Sequence, residues 1–214
     1  KRMVERRCRV RGWGEFADAV DTWLSAQLAM PLLAADPTMT PANLKTYLVE
    51  QDFWFEASNV ATPELDRLIT RHTLEGVQRP ALGFNRLNGM LKGFIDLIAE
   101  HNQQYFVLDW KSNWLGANAD AYQLEPMRQA MRDKRHDVQM CLYVLALHRH
   151  LRQRLPEYDY DRDVGGALYA FVRAAGEAPG LGVYHEKPPL ALIEALDALF
   201  AGKPIATATQ QEAV

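Results

Sequence analysis

Two short β-prone runs, "GFIDLIAE" and "YFVLDWK", stand on either side of the polar "HNQQ" at residues 101–104. Aromatic and β-branched residues flanking a short polar break predict a β-hairpin with a four-residue loop. Its register is the strongest constraint on the fold, because a slip of one residue would turn every side chain to the other face. With Glu100 and Tyr105 closing the loop, Asp96 falls directly opposite Asp109 on the same face. Like charges opposite one another destabilise a sheet, and burying both costs more. A cation between them removes the conflict. Two hard oxygen ligands that leave room for water suit Mg²⁺. Lys111, two residues beyond Asp109, leaves the same strand face. An ammonium there can orient a water or counter the charge of a phosphate. Trp110 points to the opposite face, while its backbone carbonyl stays near the carboxylates as a further ligand. The same Asp-x-Lys spacing is also that of an ordinary strand salt bridge, and the residues alone leave that alternative open.

The rest of the chain supplies the other layers. Residues 14–30 put Phe16, Val20, Trp23, Leu24 and Leu28 at helical spacing, predicting an amphipathic helix that ends before Pro31. "ADPTMTPANLK" is a turn-rich connector, and "YLVEQDFWFEA", 47–57, reads as a strand. "TPELDRLITRHTLE" predicts a short helix with Thr62 as N-cap and Pro63 at its first position. Residues 137–151, "DVQMCLYVLALHRHL", are apolar almost all round and predict a deeply buried helix. "GGALYAFVRA", 165–174, reads as a buried strand, and "PLALIEALDALFA", 189–201, as a helix before a frayed tail over 203–214. Helices and strands alternating in this way imply an α/β class with one mixed central sheet flanked by helices.

Within the buried helix, Gln139 and Tyr143 are spaced i, i+4 and share one face. They read either as core residues satisfying backbone groups or as groups aimed at the site to hold water, the lysine or a phosphate. Between residues 128 and 154 there are seven Lys/Arg, among them Arg128, Arg132, Lys134 and Arg135, against Asp133 and Asp137. In a chain of net charge −3, a basic surface for nucleic acid has to be local, and this tract is the candidate. Solvated helix faces have the same look. Cys8 and Cys141 are too few for a four-cysteine metal site or a disulfide framework, which fits a reducing cytoplasm. His72, His185 and Ser112 lack partners at catalytic or ligand spacing.

The blocks "GMLKGFIDLI", "LDWKSNWLG", "AYQLEPMRQAMRDKRHDVQMCLYVLALHRHLRQRL" and "YDYDRDVGGALYAFVR" resemble, in order and spacing, the RecB-type nuclease domains of the PD-(D/E)xK restriction-endonuclease-like family. The similarity is strong from about Gly89 to Arg173 and weaker on either side. It implies that Asp96 and Asp109 are metal-binding carboxylates and that Lys111 is the catalytic lysine. It implies further that the Trp110 carbonyl is a ligand, that Gln139 and Tyr143 form a Q-x-x-x-Y element, and that Glu50 is an upstream acidic ligand. The implied activity is Mg²⁺-dependent hydrolysis of DNA in double-strand-break repair and recombination, with Mn²⁺ or Ca²⁺ substituting in binding. The implied partners are single strands fed by a helicase, RecC-like and RecD-like subunits, and a RecA-like recombinase. Two departures stand out. Residues 1–30 contain no histidine, where the family carries one on an upstream helix, and Asn88 replaces a basic residue. The expectation is a single nuclease domain, core about 47–175, forming a piece of a larger helicase–nuclease subunit. The rival expectation is a non-catalytic docking module, marked by exposed apolar side chains on 13–30 or 189–201.

Overall fold

The structure, a computed structural model, describes residues 1–174 and 181–204. In chain order the elements are α1 (Arg2–Val10), α2 (Ala17–Ala29), β1 (Thr46–Ala61), α3 (Thr62–His72), β2 (Arg86–His101), β3 (Gln104–Lys111), α4 (Leu124–Asp133), α5 (His136–Arg154), α6 (Tyr160–Asp163), β4 (Val164–Phe171), β5 (Val183–Glu186) and α7 (Leu190–Phe200). The strands form one mixed five-stranded sheet in the order β1-β2-β3-β4-β5, so the expected α/β class holds. Most of the expected frayed tail, from residue 205 on, lies outside the described residues. No helix among the described residues is long and apolar enough to cross a membrane.

The chain divides into two compact units. One comprises Lys1–Lys45, Trp110–Met127 and Tyr169–Tyr184, and the other Thr46–Asp109, Arg128–Leu168 and His185–Val214. In the first, Val4 and Cys8 of α1 bury against Ala17, with Val20 and Leu24 packed on them. The reading of α2 as a single apolar stripe is corrected here. The line it turns inward runs from buried Ala17 through the partly buried Val20 and Leu24 to buried Gln27, at spacings of three and four, whereas Trp23, Leu28 and the preceding Phe16 are exposed. Gln27 is buried because its Nε2 donates to the Val172 carbonyl at 2.7 Å.

The second unit holds the hairpin. Pairing runs from His101↔Gln104 to Leu97↔Leu108, the register expected from the sequence. The loop is shorter than four residues, because Asn102 and Gln103 both take left-handed φ (50° and 65°) and close a two-residue turn. Shortening both ends by one pair leaves the register unchanged. β1 pairs antiparallel with β2 over almost its whole length, with one irregularity between Ala57 and Val60. Asn59 sits there at φ 56°, and its N–H donates to Asn88 Oδ1 at 2.7 Å. Asn88 therefore caps a bulge, a role a basic side chain could not fill in the same way. The expectation for Thr62 is also corrected. Ala61 is the N-cap of α3, and the Thr62 hydroxyl instead bridges to the 83–85 segment, donating to Gly83 O (2.7 Å) and accepting from Asn85 N–H (2.8 Å).

Helix α5 is the central prop of this unit. Met140, Cys141, Val144, Leu145 and Leu147 are all but fully buried, as an apolar 19-residue helix requires. Its first turn is pinned by charge. Asp137 accepts from Arg79 at 2.9 Å with both side chains at 0% exposure, and from Arg135 at 3.1 Å.

Candidate active site

Asp109, Gln139 and Tyr143 meet at one point. Asp109 is buried near the end of β3, and its Oδ1 accepts from Gln139 Nε2 at 3.1 Å. The same amide nitrogen donates to the Tyr143 hydroxyl oxygen at 2.8 Å. The sequence offers Gln139 and Tyr143 a backbone group, a water, the lysine or a phosphate as targets; in the structure Gln139 holds the Asp109 carboxylate, which is none of these, and Tyr143 is bonded to Gln139. The Tyr143 ring is set by an edge-on contact with Phe53 of β1, 5.7 Å between centroids. Burial pushes the Tyr143 phenol above its ordinary range; the Gln139 bond works against this, and the charges of Asp109 and Asp96 add to it. The hydroxyl is thus protonated at neutral pH and keeps its own hydrogen to donate. The electrostatic pull of both aspartates on one phenol also marks Asp96 as a neighbour of this point.

Register brings the acids into line. Asp96 and Asp109 are the next residues on their strands beyond the Leu97↔Leu108 pair. Glu50 lies between Val49, which pairs with Leu97, and Gln51, which pairs with Ile95, so it stands opposite Asp96. Glu50 is exposed and has φ 49°, a left-handed conformation that a non-glycine residue adopts only at some cost. Three adjacent strands therefore carry an acid at the same level. Asp96 is half-buried and Asp109 nearly wholly buried. Trp110 is half-buried. Lys111, two residues along β3, is buried with its ammonium 5.0 Å from the centre of the Tyr169 ring. The sequence gives no sign of Tyr169 as a cation–π partner, because it is 58 positions from Lys111 on another strand.

Carboxylate oxygens are donors of the kind that a hard cation takes. Among the described residues no group of three or more His, Cys, Asp or Glu side chains converges closely enough to hold a metal. Asp96 and Asp109, one pair on from Leu97↔Leu108, supply two carboxylates, fewer side chains than a closed metal cage and in keeping with an ion that keeps several of its waters.

The basic tract is largely committed to the fold. Arg135 bonds Asp66 (2.7 Å), Asp137 and the Pro80 carbonyl (2.6 Å), and is mostly buried. Arg132 is buried and donates to Gln129 at 2.8 Å, and Arg128 pairs with Glu75 at 2.7 Å. These three correct the picture of an open basic strip, since opposite charges and amide oxygens inside the protein already occupy them. Lys134 alone of the four is exposed.

The comparisons with known proteins bear on this geometry. A family model described as the PD-(D/E)XK nuclease superfamily matches residues 15–212. The chain belongs to the PD-(D/E)XK nuclease superfamily. Within it, the chain is 40% identical over 182 residues to the RecBCD enzyme subunit RecB of Escherichia coli K12, covering 84% of this chain and 15% of that protein. It is 33% identical over 190 residues to the RecB subunit of Haemophilus influenzae, covering 86% and 15%. It is 40% identical over 126 residues to the RecB subunit of Mycobacterium tuberculosis H37Rv, covering 55% and 12%. The chain thus spans about 15% of the length of the first two of these RecB relatives. Asp96, Asp109 and Lys111 all fall within the residues that the family model matches.

Proposed function

We propose that this domain hydrolyses DNA phosphodiester bonds in an Mg²⁺-dependent reaction, as the nuclease module of a RecB-type helicase–nuclease. The observation that carries the reading is the buried Asp109 carboxylate, braced by Gln139 and Tyr143, in register with Asp96 and two residues from Lys111. When bound, a divalent cation supplies Lewis-acid polarisation of the phosphate and neutralises charge on the departing oxygen. Asp96, Asp109 and the Trp110 carbonyl would hold it, with Glu50 as an outer carboxylate. Gln139 fixes which way Asp109 Oδ1 points. Lys111 donates to the attacking water or to a phosphate oxygen, and its buried setting above Tyr169 holds the ammonium in one place. Tyr143 keeps its proton and offers it as a hydrogen bond. Single strands delivered by a helicase motor in the parent protein are the substrate in this reading, with RecC-like and RecD-like subunits and a RecA-like recombinase as partners.

The test is Mg²⁺-dependent cleavage by the full-length protein with its partner subunits. Asp109→Ala, Asp96→Ala and Lys111→Ala should each abolish it, since groups acting as a unit fail together. Undiminished cleavage by the Asp109→Ala protein refutes the assignment. A docking role alongside catalysis is favoured by one observation: Trp13, Phe16 and Leu28 are 57%, 53% and 52% exposed. The 189–201 helix gives no such support, because Leu192, Ile193, Leu196 and Phe200 are buried.

A further inference from the structure

Beyond Lys111 the chain does not run off into a loose loop. The Ser112 carbonyl accepts from Arg173 Nε at 2.8 Å. The Leu115 N–H donates to the Tyr122 hydroxyl at 3.3 Å, and the Gly182 N–H donates to the Tyr122 carbonyl at 3.2 Å. At Gly116 a Cβ would come within 2.5 Å of the Ala121 methyl, so only glycine lets the loop close this tightly. On this pinned segment the Trp114 indole is 66% exposed. Trp114 lines a cavity of about 500 Å³ together with Ser112, Tyr122, Val172, Arg173 and Trp23 of α2. Trp23 is 42% exposed, and the Gln27–Val172 hydrogen bond one turn further along α2 ties that helix to the opposite wall.

Two exposed indoles in one fixed cavity forfeit the burial that normally stabilises tryptophan. What sets them apart from the chain's other exposed aromatics, such as Trp13 and Trp54, is that both line one cavity, where a ligand with a flat apolar face could lie against them. Arg173 is exposed at the rim and supplies positive charge. Aromatic faces plus a guanidinium are the chemistry that recognises an unpaired nucleobase on its polyanionic backbone. The cavity begins at Ser112, the residue after Lys111, and Trp114 is three residues along. Three residues reach at most about 11 Å, so a base seated there belongs to a nucleotide close to the phosphate that Lys111 serves. Bases inside a duplex are stacked on one another and cannot present a face.

We propose that the Trp23–Trp114 cavity is a stacking site for one unpaired base beside the cleaved bond, and that it makes the nuclease select single strands. The proposal rests on the nuclease reading above. The test uses the full-length protein with its partner subunits and short single-stranded oligonucleotides carrying one abasic position, moved stepwise along the strand. Cleavage reports the nuclease site even where other parts of the protein bind DNA. Expected is one position near the cut where loss of the base lowers kcat/KM by roughly 5- to 150-fold, the range for one stacked base. Trp114→Leu should lose as much on the intact strand and become indifferent to the abasic position, while Trp114→Phe restores most of the loss. If no abasic position matters, or if Trp114→Leu cleaves like the wild type, the proposal fails; the abasic scan needs no variant and stands even if Trp114→Leu does not fold. Photo-cross-linking of 5-iodouracil oligonucleotides in EDTA separates the two readings. Cross-links at Trp23 or Trp114 support the stacking site even if Asp109→Ala still cuts. Their absence, with Asp109→Ala inactive, overturns the stacking site and leaves the nuclease assignment intact.

Discussion

Asp137→Ala tests whether α5 is held by its buried charge cluster. The Asp137 carboxylate is wholly buried and accepts from Arg79 Nη1 (2.9 Å), Arg135 Nε (3.1 Å) and Arg135 Nη2 (3.1 Å). Removing one partner of a buried ion pair costs about 3–5 kcal/mol, mostly because the remaining charge is stranded. Here the low end applies. Arg135 keeps Asp66 and the Pro80 carbonyl, and Arg79 keeps the carbonyls of Thr70 (3.2 Å) and Thr73 (2.8 Å) and the Thr73 hydroxyl (3.0 Å). A loss of about 3 kcal/mol speeds amide exchange through local opening by roughly 100-fold. Hydrogen-exchange mass spectrometry of the full-length protein, reading peptides from α5 and 77–85, gives the measurement. Because Asp137 lies two residues before Gln139, Mg²⁺-dependent cleavage should fall with protection. The double variant Arg79→Met, Asp137→Leu removes both charges from that pair and should recover protection to within about tenfold of wild type, since apolar replacement of a buried pair is often neutral. If the double variant exchanges as fast as Asp137→Ala, stranded charge is not the cause and the reasoning is wrong.

Three further outcomes follow from the same geometry. Tyr143→Phe keeps the contact with Phe53 but removes the acceptor for Gln139; kcat for oligonucleotide cleavage should drop about 2- to 13-fold, the worth of one neutral hydrogen bond, and an unchanged kcat would take the hydroxyl out of the site. His148 is held below its usual 6.5 by burial first, then by the charges of Arg152 and Arg149 against the opposing Asp197. Its unfolded form therefore binds the proton more readily, so stability is full above about pH 6.5 and declines as pH falls through the folded value; urea unfolding at stepped pH, with His148→Asn flattening the slope, checks the sign. Gln103→Gly relieves a left-handed residue in the β2–β3 turn, where the pattern Asn-Gly is preferred. It should stabilise by about 1 kcal/mol, and a loss of stability would mean that the Gln103 side chain has work the turn geometry does not reveal.

What could be read from the sequence depended on how far apart the interacting residues lie. The hairpin is local: Asp96 and Asp109 are brought to the same level by a turn a few residues away, so alternation and loop closure sufficed, and even a wrong loop length left the register intact. Gln139 and Tyr143 were half legible. Helical spacing put them on one face, but no local rule names Asp109, 30 positions away, as what they hold. Arg79 with Asp137 and Lys111 with Tyr169 are separated by 58 positions each, and neither strand nor helix periodicity carries such information. The basic tract misled for the same reason. Counting charges in a window cannot see that Asp66 and Glu75, far upstream, already occupy Arg135 and Arg128.

The α2 helix misled in a different way, and its error bears on function. A helix with apolar residues on more than one face gives no local clue as to which face the fold will cover. Burial went to the smaller side chains, Ala17, Val20 and Leu24, along with Gln27, which found a carbonyl. Trp23 remained outside with Trp114, in one cavity beside the lysine of the Asp-x-Lys motif. Core packing alone would favour the opposite choice, since a tryptophan gains more from burial than an alanine does. A fold that forgoes that gain at two indoles, and pins the loop carrying one of them, is best explained if the indoles serve what the lysine serves. The segment "LDWKSNWLG" then reads as one device. On the proposed function Asp109 would anchor the catalytic end, Lys111 would meet the phosphate and Trp114 would hold the neighbouring base, which makes the abasic scan as much a test of the motif's second half as of the cavity itself.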